Sequence, residues 1–208
     1  MKPTPLIKRV FDIIFSMIAL VLLSPVFLLV TICFLISNGL PVFFTQIRPG
    51  KNGIPFMLFK FRTMRETRNS EEELPTDEIR ITHFGNFLRK SSLDELPELI
   101  NVLKGDMSIV GPRPLLMQYL ERYSDEQARR NDVLPGITGW AQINGRNAIS
   151  WDEKFKLDVW YVDHWTFGLD IRIILQTIWK VITGEGVSQP GRATMEEFMG
   201  DSEKPVIE

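Results

Sequence analysis

The chain opens with a block in which hydrophobic positions are almost continuous. No residue from Ile13 to Ile47 is charged, and from Val10 to Ile36, Asp12 aside, nearly every position is Ile, Leu, Val, Phe, Met or Ala. At 1.5 Å per residue, ~27 helical residues reach roughly 40 Å, more than the ~30 Å hydrocarbon core of a bilayer. The pattern predicts a membrane helix. Ser24 and Pro25 interrupt it. Proline removes an intrahelical N–H and crowds the carbonyl four residues back, so a bend is expected there, with the Ser24 hydroxyl available to the freed carbonyl of Val21. Lys2, Lys8 and Arg9 precede the block, and Arg48, Lys51, Lys60, Arg62 and Arg65 follow it. If positive charge marks the cytoplasmic side, a re-entrant helix satisfies both ends, whereas a Pro-kinked spanning helix satisfies one. The sequence favours the first and leaves the second open.

Beyond Leu40 the pattern shortens. Val42–Gln46 and Pro55–Arg62 flank a Pro-Gly-Lys-Asn-Gly turn and predict a β-hairpin. Thr82 caps a short helix through Arg89, and Pro97 and Gly105 bracket another. A charged amphipathic helix is expected over Leu115–Asn131. Ser150 and Glu153 form a capping box for a helix to about His164, and Asp170 starts a last one ending near Gly184. That helix carries Ile171, Ile174, Leu175, Ile178, Trp179 and Ile182 on one broad face, which fits a membrane interface or an ordinary core. The expected fold class is therefore α+β: a broken, re-entrant N-terminal membrane helix (1–40), a mostly helical cytosolic domain with a small antiparallel hairpin and interfacial amphipathic helices (41–186), and a C-terminal tail (187–208).

Composition removes several classes. A net charge of -2, from 24 basic and 26 acidic residues, gives no signal for nucleic acid. The single Cys33 allows no disulfide within one chain. His83 and His164 lack metal-motif spacing, and neither HExxH nor GxSxG is present.

The chemistry concentrates in Ser91–Pro114, SSLDELPELINVLKGDMSIVGPRP. Asp94 and Glu95 lie at a helix start, where acids also serve as caps, and Ser92 with Glu95 fits a capping box. Leucines on one side of the segment and the proline-locked Arg113 on the other set the pair in a phosphate-handling context. Adjacent carboxylates cannot straddle a glycosidic bond, but they can share a phosphate and a Mg²⁺, and an Asp can attack phosphorus. Spacing does not decide which acid attacks. The glycine-rich loop Pro135–Arg146, PGITGWAQINGR, matches neither a Walker A nor a dinucleotide pattern.

KFRTM at Lys60–Met64, the Ser91–Pro114 run and PGITGWAQINGR occur together in this order, and by them the chain resembles the bacterial sugar transferase family, the small monotopic phosphoglycosyl transferases. The resemblance implies transfer of a phosphosugar from a UDP-sugar to undecaprenyl phosphate, with release of UMP, at the cytoplasmic face of the bacterial inner membrane. It implies Asp94 as nucleophile, Glu95 as its partner, Mg²⁺ at both carboxylates, and Lys60, Arg89, Arg113, Arg146 and Asp158 as substrate-binding residues. Ser24 and Pro25 match the break in the family's re-entrant helix. The short chain is most similar to the bacillosaminyl transferases of protein glycosylation, which implies UDP-N,N'-diacetylbacillosamine as donor and downstream glycosyltransferases as partners. A membrane phosphohydrolase and a non-enzymatic membrane scaffold are the competing classes.

Overall fold

A computed structural model describes residues 4–64, 80–145, 149–183 and 197–200. The apolar block is one helix, α1 (Leu6–Asn38), which runs through Pro25 as a single element rather than two. The Ser24 hydroxyl donates to the Val21 carbonyl at 2.8 Å, so the acceptor that Pro25 leaves without an N–H is satisfied within the helix. Gly39, at φ 68, ends it and returns its N–H to Leu35.

The hairpin is as expected, with β1 (Phe43–Pro49) and β2 (Pro55–Phe61) antiparallel and Arg48 opposite Phe56. Its first strand continues three residues past the predicted end, because the Gly50 N–H bonds the Ile54 carbonyl at 2.8 Å and closes the turn tightly. Thr82 caps α2 (His83–Lys90) by accepting from the Gly85 N–H. Pro97 precedes α3 (Glu98–Lys104), and Gly105 ends it at φ 97.

A second pair of strands was not expected: β3 (Ser108–Val110) lies parallel to β4 (Gly136–Thr138). The glycines of the loop serve this pair. A Cβ on Gly136 would sit 2.1 Å from the Gly111 nitrogen, and one on Gly139 2.2 Å from the Gly111 oxygen. These glycines permit backbone contact within the fold.

The long helix expected over Leu115–Asn131 is instead a 3₁₀ turn (Met117–Arg122), a short α4 (Asp125–Ala128) and a second 3₁₀ turn (Arg129–Asp132). Tyr123 and Ser124 are extended, and Ser124 restarts the chain with a capping box to Gln127. Then come a short α5 (Trp140–Ile143) and α6 (Trp151–His164), with the expected Ser150–Glu153 capping box. The last described helix, α7 (Phe167–Thr183), begins three residues before Asp170, since Thr166 takes the capping role through its hydroxyl and carbonyl.

Asp170 is buried instead, accepting from Lys8 Nζ at 2.6 Å, Tyr161 at 2.7 Å and Trp165 at 2.9 Å. Arg9 donates to the Val102 and Leu103 carbonyls in the last turn of α3, and Asp12 accepts from Ser108 and from the Ile109 N–H, both at 3.0 Å. Lys8 and Arg9 are thus bonded to the protein, which removes them as freely solvated flanking charges for a topology argument. Breaking a buried pair leaves an uncompensated charge. Asp170→Ala is expected to lower unfolding stability by about 3 kcal/mol or more, measured by thermal unfolding in detergent, and Lys8→Met/Asp170→Leu together should recover part of that loss.

Both halves of α1 join the core of the rest of the chain. Phe11, Phe15, Ala19 and Leu20 pack on the cluster around Val102, Met107, Tyr161 and Ile173, while Val30 and Phe34 share a second cluster with Val42, Phe61 and Leu88. The outward side leaves Ile14, Met17, Val21, Leu28, Ile32 and Ile36 exposed. By length and composition Leu6–Ser37 is apolar enough to cross a membrane.

Candidate active site

Asp94 and Glu95 occupy a 3₁₀ turn (Leu93–Glu95) directly before α3. The capping box read from Ser92 does not form. Ser92 takes a left-handed conformation, φ 56, and its side chain makes no cap bond, so Glu95 is used elsewhere.

Glu95 accepts from Lys60 Nζ at 2.8 Å, reaching across from β2, and from Arg113 Nη2, reaching back from the Pro112-Arg113-Pro114 loop after β3. Lys60 also lies 3.0 Å from Glu98. Asp94 is buried yet holds no hydrogen bond or ion pair among the described residues. Among the described residues the two acids are therefore not equivalent: Glu95 is paired directly with two cations, and Asp94 meets the same cations only through their charge.

The electrostatics follow that division. Burial and the neighbouring Glu95 charge push Asp94 up to about 6. Burial alone would raise Glu95 as well, but Arg113 and Lys60 outweigh it and hold that carboxyl well below the usual range. Arg113 is raised in turn, chiefly by Glu95.

Glu98 was not singled out by sequence, although its three-residue offset from Glu95 places both near one cation. It is buried, and burial pushes its carboxyl up to about 7 against the opposing pull of Lys60. The folded state therefore retains a proton on Glu98 up to about pH 7, whereas the unfolded chain releases it near its ordinary value of 4.5. The associated stability is complete below the lower value and is lost as pH rises through the upper one. Glu98→Gln should match the parent's melting temperature at pH 4 and exceed it at pH 8.

Of the other predicted residues, Arg89 bonds Thr63 at 3.0 Å, and its charge acts on Asp94. Arg146 falls outside the described residues. Asp158 lies one layer behind the dyad. It pairs with the buried Arg130 at 2.7 Å, and Arg130 donates to the Arg113 carbonyl, also at 2.7 Å. Arg48, unremarked as a site residue, has a buried Nε without a partner, and burial and the Arg113 charge lower it to about 10.

No group of three His, Cys, Asp or Glu side chains forms a metal cage among the described residues. The open Asp94 carboxylate beside Glu95 fits a Mg²⁺ held by one or two carboxylates with phosphate and water completing its shell.

An apolar cavity of about 280 Å³ opens against this cluster. Its walls come from Phe15, Ala19 and Leu23 of α1, from Leu96 and Leu99, and from Ile174, Ile178 and Val181 of α7, while Glu95 and Arg113 also line it.

A family model described as bacterial sugar transferase matches residues 4–184. The chain is 53% identical over 198 residues to the uncharacterized sugar transferase EpsL of Bacillus subtilis (strain 168), covering 95% of this chain and 98% of that protein. It is 40% identical over 185 residues to the UDP-glucose:undecaprenyl-phosphate glucose-1-phosphate transferase of Escherichia coli (strain K12), covering 84% of this chain and 40% of that protein. With the undecaprenyl-phosphate galactose phosphotransferase of Salmonella typhimurium it shares 38% identity over 200 residues, 86% of this chain and 41% of that one. The chain thus spans nearly all of the Bacillus protein and about two fifths of the other two.

Proposed function

The chain belongs to the bacterial sugar transferase family, and from that premise we propose that it transfers a sugar 1-phosphate from a UDP-sugar to undecaprenyl phosphate, releasing UMP. The carrying observation is the apolar cavity between α1 and α7, whose lining includes Glu95 and Arg113. A cavity with mostly hydrocarbon walls that also meets an arginine of the cluster matches a lipid chain that bears a phosphate.

Asp94 is the nucleophile because, among the described residues, it alone of the two acids holds no direct ion pair. Its raised basicity favours attack relative to an ordinary aspartate. One of its oxygens bonds to the sugar-bearing phosphorus, the bond from that phosphorus to the bridging oxygen breaks, and UMP departs with that oxygen. An oxygen of the lipid phosphate then attacks the same phosphorus, and the acyl phosphate bond breaks to restore the carboxylate. Arg113, fixed by Glu95 and by its own flanking prolines, meets the phosphoryl oxygens. Asp94 and Glu95 would hold Mg²⁺, which neutralises phosphate charge when bound. This is a ping-pong cycle.

Contacts from both halves of α1 to the same domain support a re-entrant helix with both ends on one membrane side, which for a UDP-sugar enzyme is the cytoplasmic face of the inner membrane. The exposed Leu175, Ile178, Trp179 and Ile182 of α7 support its lying at the interface, beside the slot. The resemblance to bacillosaminyl transferases keeps UDP-N,N'-diacetylbacillosamine among the donors to try, while the relatives' names bring in UDP-glucose and a galactose donor.

Detergent-solubilised protein with each radiolabelled UDP-sugar, Mg²⁺ and undecaprenyl phosphate should move label into the organic phase with one UMP per lipid product. UMP without lipid-borne label would identify a hydrolase, and no turnover of any donor would favour the scaffold reading. Cysteines placed at Lys2 and Lys51 should label from the same side, and labelling from opposite sides would restore a spanning helix.

A further inference from the structure

We propose that the C-terminal segment Glu197–Gly200 is a working part of the catalytic unit, in which Phe198 is a positioning residue that acts through Arg130 on Arg113. The proposal rests on the reading of Arg113 as a phosphate ligand. Phe198 is buried although it lies far beyond the last described helix in sequence. Its ring sits 4.9 Å from Phe155, 5.6 Å from Tyr119, 5.7 Å from Trp151 and 5.9 Å from Tyr123, centroid to centroid. Edge-on contacts with Phe155 and Tyr119 are the favoured aromatic geometry.

Backbone and side chain both fasten the segment. The Phe198 N–H donates to the Tyr119 hydroxyl at 3.2 Å, Arg122 donates to the Phe198 carbonyl at 2.6 Å, and Glu197 accepts from Arg122 at 2.8 Å and from Gln118 at 2.5 Å. A terminal segment that only needed to be kept near the surface would not require an enclosed ring and its own backbone partners.

The rings that hold Phe198 also hold Arg130. Its guanidinium lies 5.8 Å from the Tyr123 ring and 5.7 Å from the Phe155 ring, and it donates to the Tyr123 hydroxyl at 3.3 Å. From there it donates to Asp158 and, at 2.7 Å, to the backbone carbonyl of Arg113. Phe198 therefore fills the space that fixes Tyr123 and Phe155, those rings fix Arg130, and Arg130 fixes the backbone from which the Arg113 side chain reaches Glu95. Displacement of a positioning group by about 1 Å can cost ~10²-fold in rate, so a loosened ring cage reaches the chemistry through a single carbonyl.

The test uses the full chain, with the UDP-sugar that the wild-type protein turns over, undecaprenyl phosphate and Mg²⁺. Phe198→Ala should lower kcat by about tenfold and change the donor KM by less than about twofold, because the group it displaces acts on the transition state. Phe198→Leu should recover most of the loss. Arg122→Ala, which removes the bonds to Glu197 and the Phe198 carbonyl and one contact on the Tyr119 ring but keeps every ring of the cage, should give a smaller loss of the same kind. In an Arg113→Ala background neither replacement should lower kcat further, since coupled residues are not additive. Full kcat in Phe198→Ala, or losses that multiply in the Arg113→Ala background, would overturn the proposal. Hydrogen exchange supplies an arm that needs no turnover: Phe198→Ala should speed exchange at Gly111, whose N–H bonds the Thr138 carbonyl, and at Gly136, whose N–H bonds the Pro112 carbonyl next to Arg113, and leave the β1–β2 hairpin unchanged. Unchanged exchange at Gly111 and Gly136 overturns the coupling, whereas faster exchange in a protein without transferase activity would count against the assigned reaction alone.

Discussion

Asp94→Asn is expected to abolish transfer, lowering UMP release by at least ~10⁴-fold, as loss of a covalent nucleophile does in other enzymes. The change is nearly isosteric, and Asp94 holds no hydrogen bond or ion pair among the described residues, so no structural bond is lost with its charge. Removing a buried negative charge beside Glu95 should even favour the folded state modestly, because burial and Glu95 both work against that charge. Activity and stability should therefore move in opposite directions. A melting temperature equal to or above the parent's, together with loss of the covalent phosphosugar adduct by mass spectrometry, would separate a missing nucleophile from a damaged fold. Retained turnover in Asp94→Asn would remove the aspartyl intermediate from the mechanism.

The features that the sequence made legible are those written in local chemistry. The hairpin is set by turn residues between two apolar runs, and the caps at Thr82 and Ser150 and the stop at Gly105 lie within a few residues of the bonds they make. The pair Asp94 and Glu95 stands out in the same way, as adjacent acids at a helix start. What escaped depends on contacts between distant parts of the chain. β3 and β4 have three residues each, too few to show an alternation. Lys8 and Arg9 resemble a basic membrane flank, yet they bond Asp170 and the end of α3, 162 and 93 residues away along the chain. Glu98 reads as one more acid in an early helical turn until Lys60 arrives from β2. Glu197–Gly200 resembles a polar tail with one aromatic residue, and nothing local foretells the cage that receives it.

The same distinction separates the two acids, which their spacing alone could not do. Asp94 and Glu95 are neighbours with similar chemistry, and their roles differ because Lys60 and Arg113 converge on only one of them. The cations come from a strand before the dyad and a loop after it, so the asymmetry is a product of the fold. In the proposed reaction this would leave the attacking Asp94 oxygen free while the positive charges remain within reach of the phosphate.

Glu95→Gln tests that asymmetry directly. Lys60 would keep Glu98 at 3.0 Å, but Arg113 would lose its one ion-pair partner among the described residues, and the nearby acid without such a partner among them is Asp94. Arg113 should then turn toward Asp94, lowering its basicity and blocking its approach to phosphorus. The expected result is a kcat lower by ~10²- to 10³-fold, the scale seen when a charge-stabilising group is misplaced, with a donor KM no higher than the parent's because the site has gained net positive charge. Removing Arg113 as well should add little, since the two residues act as one unit. Were Glu95 only a helix cap, glutamine would serve nearly as well and kcat would stay near the parent's. Steady-state kinetics of Glu95→Gln and of the double variant therefore discriminate a carboxylate that holds the arginine away from the nucleophile from one that merely starts a helix.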